Sequence, residues 1–331
     1  MKFAVVGAGA IGAFVGAKLW AAGEEVALIA RGPHLEAMRA GGVRVRSPLG
    51  DLVARPLVTD DPAEAGPVEV VLLALKAHSL PAMAPRLAPL LGPESTVAAA
   101  QNGIPWWYFE RHGGPLEGTR LETLDPGGAI SAAIESRRVI GCVIYCSTSI
   151  VEPGLIEHTE GLRFAIGEPD GERTPRCVKI SEAFQRAGLK CPIRTRIRHD
   201  IWVKLLGNAA LNPISALTRA SMGEILENAE TRALVRRMME EIEAVARGLG
   251  VEMEISIDQR IAGAEKVGEH KTSMLQDVEA RRPLELEAVC GVIVELAEKL
   301  GLEVPATRAV YACAKLLDQR LQQCRGQAAR S

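Results

Sequence analysis

The chain has 331 residues, 47% of them hydrophobic and 4% aromatic, with a formal charge of −2 at pH 7. That length exceeds one typical domain, so two are expected. There is no basic excess to line a nucleic-acid groove. The apolar run VEVVLLAL at 68–75 falls far short of a membrane span, so neither nucleic acid nor membrane is expected as a partner.

The opening MKFAVVGAGAIGAFVGAKLWAAGEEVALIARG admits two readings. A basic residue before a long apolar, alanine-rich run can be a secretory signal peptide. The glycines argue instead for a strand that turns into a helix around a nucleotide. Lys2 to Val6 suits a buried parallel strand, residues 10–22 suit a helix that Gly23 stops, and Val26–Ala30 suits a second strand. Between the first strand and the helix, Gly7, Gly9 and Gly12 follow the order G-x-G-x-x-G. The first glycine permits a tight turn, the second lets backbone approach a pyrophosphate, and the third allows close helix–strand contact. The helix N-terminus favours the negative charge. Gly7, Gly9, Ala10, Ile11 and Gly12 are therefore the expected cofactor-binding backbone.

The remainder of the first half alternates strand-like and helix-like segments, as a doubly wound sheet requires. GVRVRSPLGDLVARPL suggests two strands around a turn, VEVVLLAL a central strand, APRLAPLL a helical region and STVAAAQNG another short strand. RVIGCVIYCSTSI, GLIEHTE and LRFAIGE suggest successive antiparallel strands. VKISEAFQRAG suggests a helix and LKCPIRT a last strand. Beyond residue 197 the texture is helical. The expected architecture is an α/β Rossmann-type dinucleotide-binding domain over 1–197, followed by an all-α domain for substrate and catalysis over 198–331. The seven cysteines form no C-x-x-C pair and the six histidines lack ligand spacing. Reduced thiols, a cytoplasmic setting and no metal are expected. The long amphipathic helices at 228–249 and 284–300 suit either a homodimer contact or the core.

Several residues stand out for chemistry. An acidic residue at the end of the second strand would mark NAD; here VALIA ends in Arg31. A guanidinium can bind a 2′-phosphate, so NADP(H) is expected, with Arg39 or Arg44 as substitutes should the loop fold differently. Lys76 and Asn102 follow predicted strands, at the carboxyl ends where open α/β sheets bind ligands. In DIWVKLLGNAALNPISAL, Lys204, Asn208 and Asn212 repeat every four residues on one helical face among apolar neighbours. Such groups are costly to bury without partners. Pro213 is expected to kink or end that helix and expose Asn212. Glu285 falls just after Pro283, in the expected first turn of a long helix, and Ser273 caps or decorates the preceding one.

Taken together, these motifs resemble the ketopantoate reductase (2-dehydropantoate 2-reductase) family over most of the chain. They comprise VVGAGAIGA, Arg31, LALKA at 73–77, QNG at 101–103, WVKLLGNAALNP at 202–213, SMLQDVEARRPLELE at 273–287 and GLEVPAT at 301–307. The resemblance implies NADPH-dependent reduction of 2-dehydropantoate to pantoate, a step towards pantothenate and coenzyme A. By the same resemblance, Lys204 is the general acid for the ketone oxygen and Glu285 binds the substrate's hydroxyl end. Asn102, Asn208, Asn212 and Ser273 hold substrate and lysine, while Lys76 and Asn102 lie near the cofactor. Where many family members carry I-N-G after the glutamate, this chain has Val289-Cys290-Gly291. Met222 stands where some members place another asparagine, and IPWWYFERHGG after Asn102 is bulkier, with Trp106, Trp107 and Tyr108 expected to pack. The alternatives are a paralogue that reduces another 2-oxo acid, and a non-catalytic NADPH sensor.

Overall fold

The structure, a computed structural model, describes residues 1–328. The chain divides into two compact units. One comprises Met1–Gln101 and Pro105–Ile197; the other comprises Asn102–Ile104 and the chain from Arg198 onward. The first unit is α/β and the second helical. No helix among the described residues is long and apolar enough to cross a membrane.

The first unit runs β1 (Lys2–Val6), α1 (Ala10–Ala21), β2 (Glu25–Ile29), α2 (Gly32–Gly41), β3 (Val43–Arg46), β4 (Leu52–Ala54), β5 (Leu57–Thr59), α3 (Pro62–Ala65), β6 (Val68–Leu73), α4 (Leu80–Met83), β7 (Leu91–Ala99), α5 (Ala129–Ala133), β8 (Val139–Glu152), β9 (Leu155–Gly167) and α6 (Pro175–Arg186). Its nine strands form one sheet in the order β4-β3-β9-β8-β7-β6-β1-β2-β5. From β8 to β5 every pairing is parallel, and those six strands follow the doubly wound dinucleotide-binding order. β1 and β6 are covered on both faces, which explains why their sequences are nearly continuous apolar runs. The core beneath them gathers Phe3, Phe14, Leu19, Leu28, Leu72 and Phe184.

Two expectations are corrected. GLIEHTE and LRFAIGE are one strand, β9, paired antiparallel to β8. Gly161, at φ +78°, lets the strand continue through the register shift opposite Tyr145 and Ser147. LKCPIRT is not a strand: it makes only isolated bridges, Lys190 to Arg163 and Ile193 to Ile166. Pro192 between them has no N–H for a ladder, though its carbonyl accepts from the Ile166 N–H.

The segment after Ile104 packs, as its aromatics suggested. Trp106, Trp107, Tyr108 and Phe109 are all buried, and Gly141 lies under the Trp107 ring where a Cβ would crowd it at 3.0 Å. A buried ionic hub holds the segment. Glu168, fully buried, accepts from Arg176 Nη2 at 2.6 Å, Thr174 Oγ1 at 2.7 Å and Arg111 Nη2 at 3.3 Å. Burial alone would push the Glu168 carboxyl up. The hydrogen bonds from Arg176 and Thr174, and the Arg176 and Arg111 charges, outweigh it and hold the group below the ordinary carboxylate range.

The second unit runs α7 (Ile197–Thr218), α8 (Met222–Glu227), α9 (Ala229–Gly248), α10 (Ile257–Glu265), α11 (Ser273–Glu279), α12 (Val292–Leu300) and α13 (Pro305–Ala328), with no strand among its described residues. A single turn of π-helix, Glu287–Gly291, leads directly into α12. Helix starts are capped by side chains: Ser221 and Ser256 form capping boxes with Glu224 and Gln259, and Asn228 accepts at the start of α9. Glu241 of α9, itself buried, accepts the first N–H groups of α13, from Ala306 at 3.0 Å and Thr307 at 2.8 Å.

Candidate active site

In the first unit the G-x-G-x-x-G glycines have separate physical roles. Gly7 turns the chain at φ +92°, and a Cβ there would press on the Leu75 backbone at 2.5 Å. At Gly12 a Cβ would overlap the Gly7 carbonyl oxygen. Gly9, the N-cap of α1, faces open space: an added Cβ would meet nothing within 4 Å. No side chain caps α1. Its first N–H groups, from Ala10 and Ile11 onward, thus stand beside a cradle with room for an anion, where the helix dipole favours negative charge. These residues fit a dinucleotide's pyrophosphate.

Arg31 is the N-cap of α2, two residues past β2, and exposed. The other two arginines are engaged elsewhere. Arg39 donates through Nε to the Val58 carbonyl at 2.9 Å and pairs with Asp60, while Arg44 lies in β3 and pairs with Glu152 at 2.9 Å. Lys76, half-buried, follows β6 directly beyond Leu73-Ala74-Leu75. Gly7, Arg31 and Lys76 therefore share the carboxyl edge of neighbouring parallel strands β2, β1 and β6.

In the second unit three predicted residues meet, although 183 positions separate the outermost pair's contact in sequence. Lys204 Nζ donates to Asn102 Oδ1 at 2.7 Å, and Asn102 Nδ2 donates to Glu285 Oε2 at 3.3 Å. The Asn102 amide thus bridges an ammonium and a carboxylate, one group for each of its ends. Lys204 and Asn208 are half-buried on α7, whereas the apolar neighbours Trp202, Leu205, Leu206, Ala209 and Ala210 are buried.

Pro213 does not end α7. The helix continues to Thr218, and Asn212 is only 8% exposed rather than laid open. A compensating contact lies one turn back. Proline has no N–H for the Ala209 carbonyl, and the Cys290 thiol takes its place, donating at 3.8 Å. Burial pushes that thiol up to about 12, so it remains a donor. Glu285 is also not within a first helical turn but immediately before the helix that begins at Leu286. Its position is fixed from α13: the Leu284 N–H donates to Asp318 Oδ1 at 2.9 Å. The Glu287 carboxylate accepts from Tyr311 Oη at 2.7 Å and pairs with Lys315 at 3.2 Å. Burial first, and then the Glu287 carboxylate, push the Tyr311 hydroxyl up and keep it protonated, against the opposing Lys315 ammonium.

Ser273 is the exposed first residue of α11, and Thr272 is the cap, accepting from the Leu275 N–H at 3.1 Å. Met222 is the first residue of α8. Several groups that contact the segments bearing Lys204, Asn102 and Glu285 were not singled out from the sequence for these contacts. They are Ile104, Ala288, Cys290, Tyr311, Lys315 and Asp318. The one available signal was Pro213, which announces an acceptor at Ala209 in need of a donor.

A doubly wound nucleotide-binding unit followed by a helical unit that presents a lysine, an amide and a carboxylate defines a dinucleotide-dependent oxidoreductase. Comparison with known proteins sharpens the class. Residues 3–107 match the family described as ketopantoate reductase PanE/ApbA, and residues 196–318 match its counterpart, ketopantoate reductase PanE/ApbA C terminal. A 2-dehydropantoate 2-reductase from Mesorhizobium japonicum is 48% identical over 318 residues, 96% of this chain and 98% of that protein. The crystal structure of a Ralstonia solanacearum MolK2 protein, a ketopantoate reductase by assignment, has a TM-score of 0.92 at 38% identity. That comparison covers 97% of this chain and 98% of the other. D-mandelate dehydrogenase, in its ternary structure with NADH and anilino(oxo)acetate, shares the fold at a TM-score of 0.83 and 20% identity, covering 97% of this chain and 100% of that one. The chain belongs to the ketopantoate reductase family.

Proposed function

We propose that the protein reduces 2-dehydropantoate to pantoate with NADPH, in pantothenate and coenzyme A biosynthesis. The observation that carries the reading is the hydrogen-bonded series Lys204–Asn102–Glu285. NADPH, when bound, supplies the hydride that adds to the keto carbon. The oxygen then carries an alkoxide charge that must be met and protonated. Lys204 does both, because an ammonium stabilises that charge and hands over a proton. Asn102, accepting from Lys204 Nζ, aims the ammonium. Its other end is tied to Glu285, whose carboxylate binds the hydroxyl end of the substrate and balances the lysine charge. Asn208 and Asn212 extend the same face of α7, and Ser273 opens α11; these hold the rest of the substrate. Gly7, Gly9, Ala10, Ile11 and Gly12 bind the pyrophosphate through backbone. Arg31 receives the 2′-phosphate, and Lys76 lies against the cofactor.

The test is NADPH oxidation by the purified protein with 2-dehydropantoate, repeated with NADH and in Lys204→Ala and Arg31→Ala. Turnover should prefer NADPH and fall about 10²–10⁴-fold in Lys204→Ala. Arg31→Ala should lose about tenfold or more in kcat/KM for NADPH and leave NADH unchanged, since one charge-assisted contact is removed. Equal use of both cofactors would sink the role given to Arg31 alone. Binding of NADPH without turnover of 2-dehydropantoate, but with turnover of another 2-oxo acid, would replace the substrate and keep the chemistry.

A further inference from the structure

Two helices of the second unit carry backbone carbonyls that accept from donors outside their own helix, and both lie beside the Lys204–Asn102–Glu285 series. In α7, Pro213 removes the donor of the Ala209 carbonyl, one residue from Asn208. In the π-turn Glu287–Gly291, the Val292 N–H reaches back five residues to the Glu287 carbonyl. The Ala288 carbonyl, within that turn, accepts from a donor outside it. Single π-turns of this kind tend to occur at functional sites.

The outside partners cross-link the three segments that bear Lys204, Asn102 and Glu285. The Ile104 N–H, two residues past Asn102, donates to the Ala288 carbonyl at 3.0 Å. Gly103 makes this possible twice over. It adopts φ +85°, which L side chains rarely occupy, and a Cβ there would overlap the Ala288 carbonyl oxygen. The Cys290 thiol, two residues further along the same turn, donates to the Ala209 carbonyl at 3.8 Å. The turn therefore grips the Asn102 segment with one residue and α7 with another, while Glu285 precedes it by two residues.

We infer that the π-turn Glu287–Gly291 is the positioning element of the active site, with Gly103 and Cys290 as positioning residues that keep Asn102 in register with Lys204 and Glu285. The inference rests on the reductase reading for its kinetic consequence, and on geometry alone for the contact itself. A general acid placed about 1 Å from its working position can lose about 10²-fold in rate. Asn102 reaches its two partners at 2.7 and 3.3 Å, so a shift of its backbone would break the weaker contact first.

The test compares the full-length wild type with Gly103→Ala, Cys290→Ala and Cys290→Ser by three measurements: hydrogen exchange of the Ile104 amide, NADPH affinity, and steady-state kcat and KM with 2-dehydropantoate. Gly103→Ala should lose protection at Ile104 and lower kcat about 10²-fold with NADPH affinity unchanged. Cys290→Ala should lower kcat about 3- to 10-fold, the cost of one neutral hydrogen bond, and Cys290→Ser, still a donor, should retain more of it. Protected Ile104 in Gly103→Ala, or full kcat despite lost protection, overturns the inference. Should Gly103→Ala fail to fold, equal activity of the two Cys290 variants overturns it. If the wild type does not reduce 2-dehydropantoate, the substrate reading fails by itself. The exchange measurement still judges the cross-link, so the two failures are told apart.

Discussion

Asn102 is proposed to act on catalysis through Lys204, and a double-mutant cycle tests that directly. Asn102→Ala removes the oxygen that accepts from Lys204 Nζ at 2.7 Å and the amide that donates to Glu285 at 3.3 Å. The first contact is short and charge-assisted, and such bonds contribute about 1.5–3 kcal/mol; the second is long and contributes little of that. At 1.36 kcal/mol per decade, the expected loss in kcat/KM is about 10- to 150-fold. Lys204→Met, which keeps the length of the side chain but no proton, should lose about 10²–10⁴-fold. If Asn102 works by aiming the ammonium, removing it from an enzyme that already lacks the ammonium costs nothing more. The double variant should then match Lys204→Met, with a coupling energy of about 1.5–3 kcal/mol. The assay is steady-state NADPH oxidation at several 2-dehydropantoate concentrations, so that kcat and KM are read separately. Two losses that simply multiply, leaving a coupling inside the ~0.5 kcal/mol scatter of independent sites, would refute the reasoning. Asn102 would then contribute by its own contact to substrate or cofactor.

The glycine loop makes a sharper contrast. Gly9→Ala adds a methyl into open space and should leave Tm unchanged while it weakens NADPH binding, because the methyl occupies the space assigned to the pyrophosphate. Gly12→Ala drives a Cβ into the Gly7 carbonyl and should cost about 1–3 kcal/mol of stability in thermal or urea unfolding. In the buried hub, Glu168→Gln removes the counter-charge that Arg176 and Arg111 share, while Arg111 keeps Asp170 at 2.6 Å, and should cost about 1–3 kcal/mol. Because the folded carboxyl lies below its unfolded value, its contribution is complete above the ordinary glutamate range. It is lost as pH falls from there through the folded pKa. Wild type should therefore lose Tm relative to Glu168→Gln as buffers are taken below about pH 4.5. A constant difference in Tm down through that range would remove Glu168 from the acid response.

The parts of this molecule that were legible in sequence are those set by contacts within a few residues. The G-x-G-x-x-G turn is one, since Gly7, Gly9 and Gly12 answer to the same loop and helix start. The stripe of Lys204, Asn208 and Asn212 is another, because helical geometry alone places residues four apart on one face. What could not be read were partners brought by the fold from far along the chain. Nothing near Leu284 shows that Asp318 would accept its N–H, and nothing near Ile104 shows that its N–H would meet the Ala288 carbonyl, whereas Pro192 in LKCPIRT and Thr272 beside Ser273 were local signals. Pro213 is the most instructive failure. By local rules it should end a helix, yet α7 runs on for five residues, and the Ala209 carbonyl accepts from a thiol 77 positions beyond the proline in place of the missing N–H. A local rule broken at no evident local gain points to a compensating contact, and such contacts are kept where the positions they enforce matter. Here the compensation falls between the helix that carries the lysine and the turn that follows the glutamate. The misread proline is therefore itself evidence for where this protein needs its geometry held.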